Sequence, residues 1–387
     1  MPGASLLFPI VPMKALRIYA GPQARRHLEQ QGLQARDVTT IPAAAGGPKG
    51  LILGALDRFI FGNWLASTTH PVDLVGASIG AWRMATACLQ EPVAAFERLE
   101  HDYIHQHYEL QPGQKRPPPE RVSEQFGQNL QAFYGGRVQE VLNHPRYRLH
   151  ILTSRGRHLL GREHGLRTPL GYLGAFLSNT VHRKAMGAWL ERVVFSTPGA
   201  ELPFATGDYR TRRVALSEAN FMAALQASCS IPFVLRAVQH IAGAPPGAYW
   251  DGGITDYHLH LNYAAAPNAI NLEAAGADGE RAGGQKGLVL YPHFQQAVVP
   301  GWLDKGLTWR HHATHHLDTM VLLAPDPQWI KTLPNGKLPD RNDFTHYGND
   351  LAGRVKAWGT AVQMSQQLAD EFQAWLAKPD LGQVQAL

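Results

Sequence analysis

The chain has 387 residues, 44% of them hydrophobic and 17% charged, so it can bury a sizeable core and wholesale disorder is excluded. Its net charge of +5 arises from 36 basic and 31 acidic side chains scattered along the chain; Arg25–Arg26 and Arg212–Arg213 are pairs rather than a patch, no nucleic-acid-binding motif accompanies them, and nucleic acid is not an expected partner. Two cysteines, Cys88 and Cys229, cannot build a disulfide framework and fit a reducing compartment.

The first apolar stretch, Ala4–Met13, is short and broken by Pro9 and Pro12. It lacks the basic start and small-residue cleavage site of a secretory signal, and no apolar run anywhere reaches the roughly 18 residues of a membrane span, so a cytoplasmic protein is expected. Short β-branched or apolar runs then predict strands at Leu16–Tyr19, Val38–Pro42, Val72–Gly76, Arg148–Thr153, Val193–Ser196, Leu288–Tyr291 and Met320–Leu323. Helical patterns lie between them. Gly50–Leu65 places Ile52, Leu56, Phe59 and Ile60 on one face, and Gly80–Gln90 follows directly on a strand. Such alternation predicts an α/β protein with a mostly parallel sheet covered by helices. With no linker or internal repeat, we read a single domain, 1–387, carrying a helical insertion at about 99–144. Gln111–Glu120, Ala242–Ala248 and Ala274–Gly287 are loops on their Pro and Gly content. At about 349–377, Leu351, Val355, Trp358, Val362, Phe372 and Trp375 form an amphipathic helix from which Leu368 is one step off register; it packs on the sheet or faces lipid.

Three motifs carry chemistry. Ala45-Gly46-Gly47-Pro48-Lys49-Gly50 follows a strand and opens a helix, where adjacent main-chain amides can form an anion nest. Lys49 precedes Gly50 and Leu51 comes next, so the order and the missing hydroxyl exclude a nucleotide phosphate loop. Gly76-Ala77-Ser78-Ile79-Gly80 has the G-x-S-x-G form of a nucleophile elbow between strand and helix: the turn is too tight for a Cβ beside the serine and lifts its hydroxyl above the sheet edge. Trp250-Asp251-Gly252-Gly253 is a turn signature alone. In company with the other two it supplies a candidate base, because a serine hydroxyl needs a group to accept its proton.

In this order the motifs resemble the patatin-like phospholipases, lipid acyl hydrolases with a Ser–Asp dyad. Ala227-Ser228-Cys229-Ser230-Ile231-Pro232-Phe233 is similar to the small-residue stretch ahead of their aspartate, and the likeness spans about Val38 to Tyr257. It implies a three-layer α/β/α patatin-like fold with a central, mostly parallel sheet. Ser78 would be nucleophile, Asp251 base, and the amides of Gly46, Gly47 and Lys49 or Ile79 the oxyanion hole. Two positions depart from the pattern: Ala45 stands where many members have a first glycine, and Pro48 has no amide hydrogen. The resemblance implies a lipid or small ester substrate, with transient membrane-surface contact. No metal or organic cofactor is implied.

Trp82 and Trp250 are candidate pocket residues, since their neighbours Ser78 and Asp251 must converge. An ordinary Ser–His–Asp esterase stays open, with His258, His260, His293 and His346 as its candidates, and so does a non-catalytic lipid- or anion-binding protein. His311/His315 and His312/His316 are pairs at i, i+4 that on a helix could hold a metal, but no carboxylate stands at zinc-hydrolase spacing, so a pocket-edge helix is expected.

Overall fold

The buried apolar runs pair into one sheet that crosses the chain from end to end. The computed structural model describes residues 13–110, 113, 114, 116–265 and 287–387. Nearly all of the Ala4–Met13 stretch, part of the Gln111–Glu120 loop and all of the Ala274–Gly287 loop but its last residue lie outside these. The strands are β1 (Leu16–Ala20), β2 (Val38–Ala43), β3 (Val72–Ala77), β4 (Tyr147–Gly156), β5 (Leu190–Ser196), β6 (Thr211–Ala215), β7 (Val238–Gln239), β8 (Ala248–Asp251), β9 (Leu288–Pro292), β10 (Met320–Pro325) and β11 (Val384–Ala386). Their order is β11-β1-β10-β9-β2-β3-β4-β5-β6, with β8 set against β4 and β7 against β8.

The centre, β10-β9-β2-β3-β4, is parallel throughout. Its strands are buried on both faces, which is why Val72–Ala77 reads as an almost unbroken apolar run. Antiparallel pairs enter at β1–β10, β4–β5 and β4–β8. Helices flank this mixed α/β sheet, as the alternation predicts. After the helix Ile79–Ala87 that follows β3, the helical insertion begins earlier than expected, at Pro92–His105, and continues through Pro119–Tyr134 and Val138–Leu142.

The Gly50–Leu65 pattern is helical but irregular: a 3₁₀ turn at Gly47–Leu53, an α-helix at Gly54–Phe59 and a π turn at Ile60–Trp64. The expected C-terminal helix is two helices, Leu351–Met364 and Gln366–Ala377, parted at Ser365. The break re-phases the apolar stripe, which accounts for Leu368. Trp358, Leu368, Phe372 and Trp375 are all buried, so this face is committed to packing rather than to lipid. The His311–His316 segment forms no α-helix; short 3₁₀ turns at Thr308–Arg310 and His315–Leu317 replace it and undo the i, i+4 pairing. Among the described residues no group of three or more His, Cys, Asp or Glu is placed to hold a metal ion, and no helix is long and apolar enough to cross a membrane.

Candidate active site

Two strands abut on one edge of β4, and this brings Ser78 to Asp251. β3 runs parallel to β4 as far as the pair Ala77–Leu152, and β8 runs antiparallel to it from the pair Asp251–Thr153. The chain leaving β3 is Ser78 and the residue ending β8 is Asp251, so consecutive positions on β4 hold the two strand ends head to head. The Ser78 hydroxyl donates to Asp251 Oδ2 at 2.7 Å, and both residues are buried.

The turn at Ser78 is as tight as the motif requires. Ser78 has φ 56° and ψ −129°, a left-handed conformation that costs a non-glycine residue on the order of 1–3 kcal/mol. A Cβ on Gly76 would lie 2.4 Å from Ala81 Cα, and one on Gly80 would lie 1.9 Å from the Ala43 carbonyl oxygen. Neither glycine can be replaced without moving backbone. The Ser78 N–H donates to Ser228 Oγ at 2.9 Å, and that hydroxyl donates to the Leu152 carbonyl at 2.7 Å. Ser228 therefore anchors the elbow to β4.

Asp251 is held on both sides. Its Oδ1 accepts the Gly253 N–H at 2.7 Å, and its own N–H donates to the Ser230 carbonyl at 2.9 Å. Burial lifts its carboxyl above the usual carboxylate range, against the opposing pull of Arg341, the hydrogen bonds from Ser78 and Gly253, and Lys305. A desolvated carboxylate of this kind is a stronger base than one in water.

The glycine loop lies over this pair, and the structure divides the four candidate oxyanion residues. Gly47 and Ile79 border the same cavity as Ser78, each at the first position of a helical turn. The first N–H groups of a helix have no partner within it, so these two amides suit a developing negative charge. Gly47 has φ 57°, which favours glycine, and Arg341 lies close above its Cα. Gly46 and Lys49 border a second cavity, of about 200 Å³, that reaches Asp251 from the other side and is edged by Lys305 and Arg341.

The cavity over Ser78 has a volume of about 370 Å³, and Trp82, Tyr103, Val122, Phe126, Ile231 and Phe344 are among its walls. Trp82 is where the sequence puts it, packed edge-on against Phe126 with centroids 5.5 Å apart. Trp250 is not: it is fully buried in a separate apolar cluster with Leu160, Met186 and Tyr209, and contacts Tyr172. The cause is the alternation of a strand. Neighbours on a strand point to opposite faces, so if Asp251 enters the site, Trp250 must leave it.

Arg341 borders both cavities, yet no motif marks it; it directly precedes the helix Asn342–Tyr347 and arrives from the far end of the chain. None of the four candidate histidines borders either cavity. His258 and His293 are buried beside each other, ring centroids 4.4 Å apart, and burial pushes both down, His293 to about 3. They are neutral rings in the core. His260 sits in the same condition, drawn down to about 4 by burial, with Nε2 2.9 Å from Thr314 Oγ1. His346 is exposed.

In comparisons with known protein families and with curated proteins, the chain matches none.

Proposed function

We propose that the protein is a serine acyl hydrolase of the patatin-like type, cleaving carboxylic esters of lipids through a Ser78–Asp251 dyad. The observation that carries this reading is the 2.7 Å hydrogen bond to a buried carboxylate from the hydroxyl of Ser78, which lines an apolar cavity. Ser78 Oγ attacks the ester carbonyl carbon as Asp251 takes its proton. The carbonyl oxygen becomes an oxyanion facing the amides of Gly47 and Ile79, with Gly46 and Lys49 in the same loop. The bond to the alcohol then breaks, and Asp251 returns the proton to the leaving oxygen. Water attacks the acyl–Ser78 ester by the same route, giving its proton to Asp251, and the free acid departs as the hydroxyl of Ser78 is restored.

A carboxylate bonded directly to the nucleophile favours the dyad over a Ser–His–Asp esterase, which needs an imidazole between the two. The apolar walls of the larger cavity favour an acyl chain as its occupant. A fluorophosphonate is expected to label the native protein at Ser78 and to leave Ser78→Ala unlabelled, read by intact-mass spectrometry. Labelling that persists in Ser78→Ala removes Ser78 as nucleophile, and a native protein that takes no label favours a binding protein instead.

A further inference from the structure

The helix Arg167–Val181 is built inside out. Its face toward the protein carries Thr168, Gly171, Ala175 and Asn179, all buried. Its opposite face carries Leu170, Leu173 and Leu177 at 59%, 53% and 56% exposure, with Phe176, Val181 and the preceding Leu166 exposed beside them. At about 100° per residue, positions 166, 170, 173 and 177 fall on one line along the helix, directly away from the buried set. A surface helix of a globular protein turns its large apolar residues inward and its polar residues out. Contiguous exposed apolar patches mark interaction sites.

Three further features bear on what this face meets. The patch is continuous with the mouth of the larger cavity: Phe233 and Val234 are exposed, both border that cavity, and the Phe233 ring packs on Tyr172 of this helix, centroids 6.1 Å apart. At the other end, Arg310 binds the Asn179 side chain and the Thr180 carbonyl, which brings the exposed Trp309 to the helix terminus. The surroundings are basic. Residues 164–190 include no Asp or Glu, Arg162, Arg167 and Lys184 are exposed, and the flanking acids are engaged, Glu163 with Arg236 and Glu191 with Arg155, Arg210 and Arg212.

We infer that this helix is the protein's docking face for an anionic lipid surface. Its leucine row enters the boundary between headgroups and acyl chains, Trp309 rests at the interface, and Arg162, Arg167 and Lys184 meet the lipid charge. Docked in this way, the protein presents the Phe233–Val234 rim to the membrane, so an acyl chain passes from bilayer to cavity without crossing water. The purpose of the device rests on the lipid-ester reading; its test does not.

The test is co-sedimentation with vesicles of phosphatidylcholine alone and of phosphatidylcholine with phosphatidylglycerol. The full chain is expected to bind the anionic vesicles and to bind neutral ones more weakly. Leu173→Asp/Leu177→Asp is expected to lose at least about tenfold in partitioning while its thermal midpoint stays close to the native one, because more than half of each side chain is already in solvent. Arg167→Glu/Lys184→Glu is expected to weaken binding to the anionic vesicles only. A native protein that ignores both vesicles, or a leucine variant that binds as well as the native one, overturns the inference. So does a native dimer in analytical ultracentrifugation that Leu173→Asp/Leu177→Asp dissociates, which assigns the face to a second copy. Vesicle binding without fluorophosphonate labelling keeps the docking face and removes the hydrolase; labelling without vesicle binding does the reverse.

Discussion

Asp251→Asn is expected to be more stable than the native protein and nearly inactive. Burial raises the Asp251 carboxyl above its ordinary value of 3.8, so the folded state holds this proton more tightly than the unfolded chain does. The stability contributed by that tighter hold is complete below pH 3.8 and is lost as pH rises through the raised pKa. At neutral pH the native protein carries a desolvated charge that Asn does not. The variant's advantage in urea unfolding is therefore largest at neutral pH and closes in acid. Ser78 adds strain of its own through its left-handed backbone.

The activity loss follows from the same group. A positioned general base typically contributes about 10²–10⁴ in turnover. Asparagine fills the space and can still accept the Gly253 N–H, but it takes no proton from Ser78. Ester hydrolysis by Asp251→Asn is expected to fall by that factor, and Ser78→Ala to fall further, on the order of 10⁶, as removal of the nucleophile does in other serine hydrolases. On the proposed mechanism the acid limb of kcat/KM is expected above the ordinary carboxylate range, because only ionised Asp251 is a base. An acid limb at the ordinary aspartate value, with no stability gain in Asp251→Asn, would show that burial does not tune this carboxylate.

The local geometry of the elbow was legible because sterics leave few options. Gly76 and Gly80 sit where a Cβ would strike backbone, so the spacing of the motif is itself a statement about the turn. The central strands were legible for a similar reason: burial on both faces demands unbroken apolar runs. Strands at the margin escaped. β6 is Thr-Arg-Arg-Val-Ala, with Arg212 and Arg213 exposed along an edge, and its polar side chains carry no strand signal. β8 is four residues long and emerges straight from the Pro245–Pro246 break, so only its Asp-Gly-Gly end carries a sequence signal. The missing strand signal is why Trp250 departs from its expected place. Adjacency in sequence is no guide to adjacency in space here, because a strand sends neighbours to opposite faces. The inversion of the helix Arg167–Val181 leaves no sequence signal either. Its leucine periodicity is that of an ordinary core helix, and only its exposure sets it apart. Arg341 had no signal at all, since a long-range contact of a lone arginine leaves no local pattern.

A buried ion pair joins the elbow to the glycine loop, and cutting it is expected to cost more stability than any single surface change. Arg83, on the helix that Ser78 opens, donates through Nε and one terminal nitrogen to both Asp57 oxygens at 2.7 Å. Asp57 belongs to the helix Gly54–Phe59, which continues the turn begun at Gly47. Their side chains are 2% and 1% exposed, so either charge left alone stays away from water. Arg83→Met and Asp57→Ala are each expected to lose about 3–5 kcal/mol, read by urea unfolding. Burial already raises the Asp57 carboxyl, with Arg83 the first group opposing it. In Arg83→Met that opposition is gone, so Asp57 binds its proton more tightly when folded, and the deficit should shrink as pH falls. Arg83→Met/Asp57→Leu removes both charges and is expected to recover most of the loss, as apolar replacements of buried pairs do elsewhere. Turnover should not recover with it. A bidentate pair fixes the distance between two helices and the amides at their starts, whereas an apolar contact tolerates sliding, and a misplacement of about 1 Å costs roughly 10² in rate. If the double variant regains full turnover along with its stability, the pair serves the fold alone, and the spacing between Gly47 and Ile79 is set by the strands beneath them.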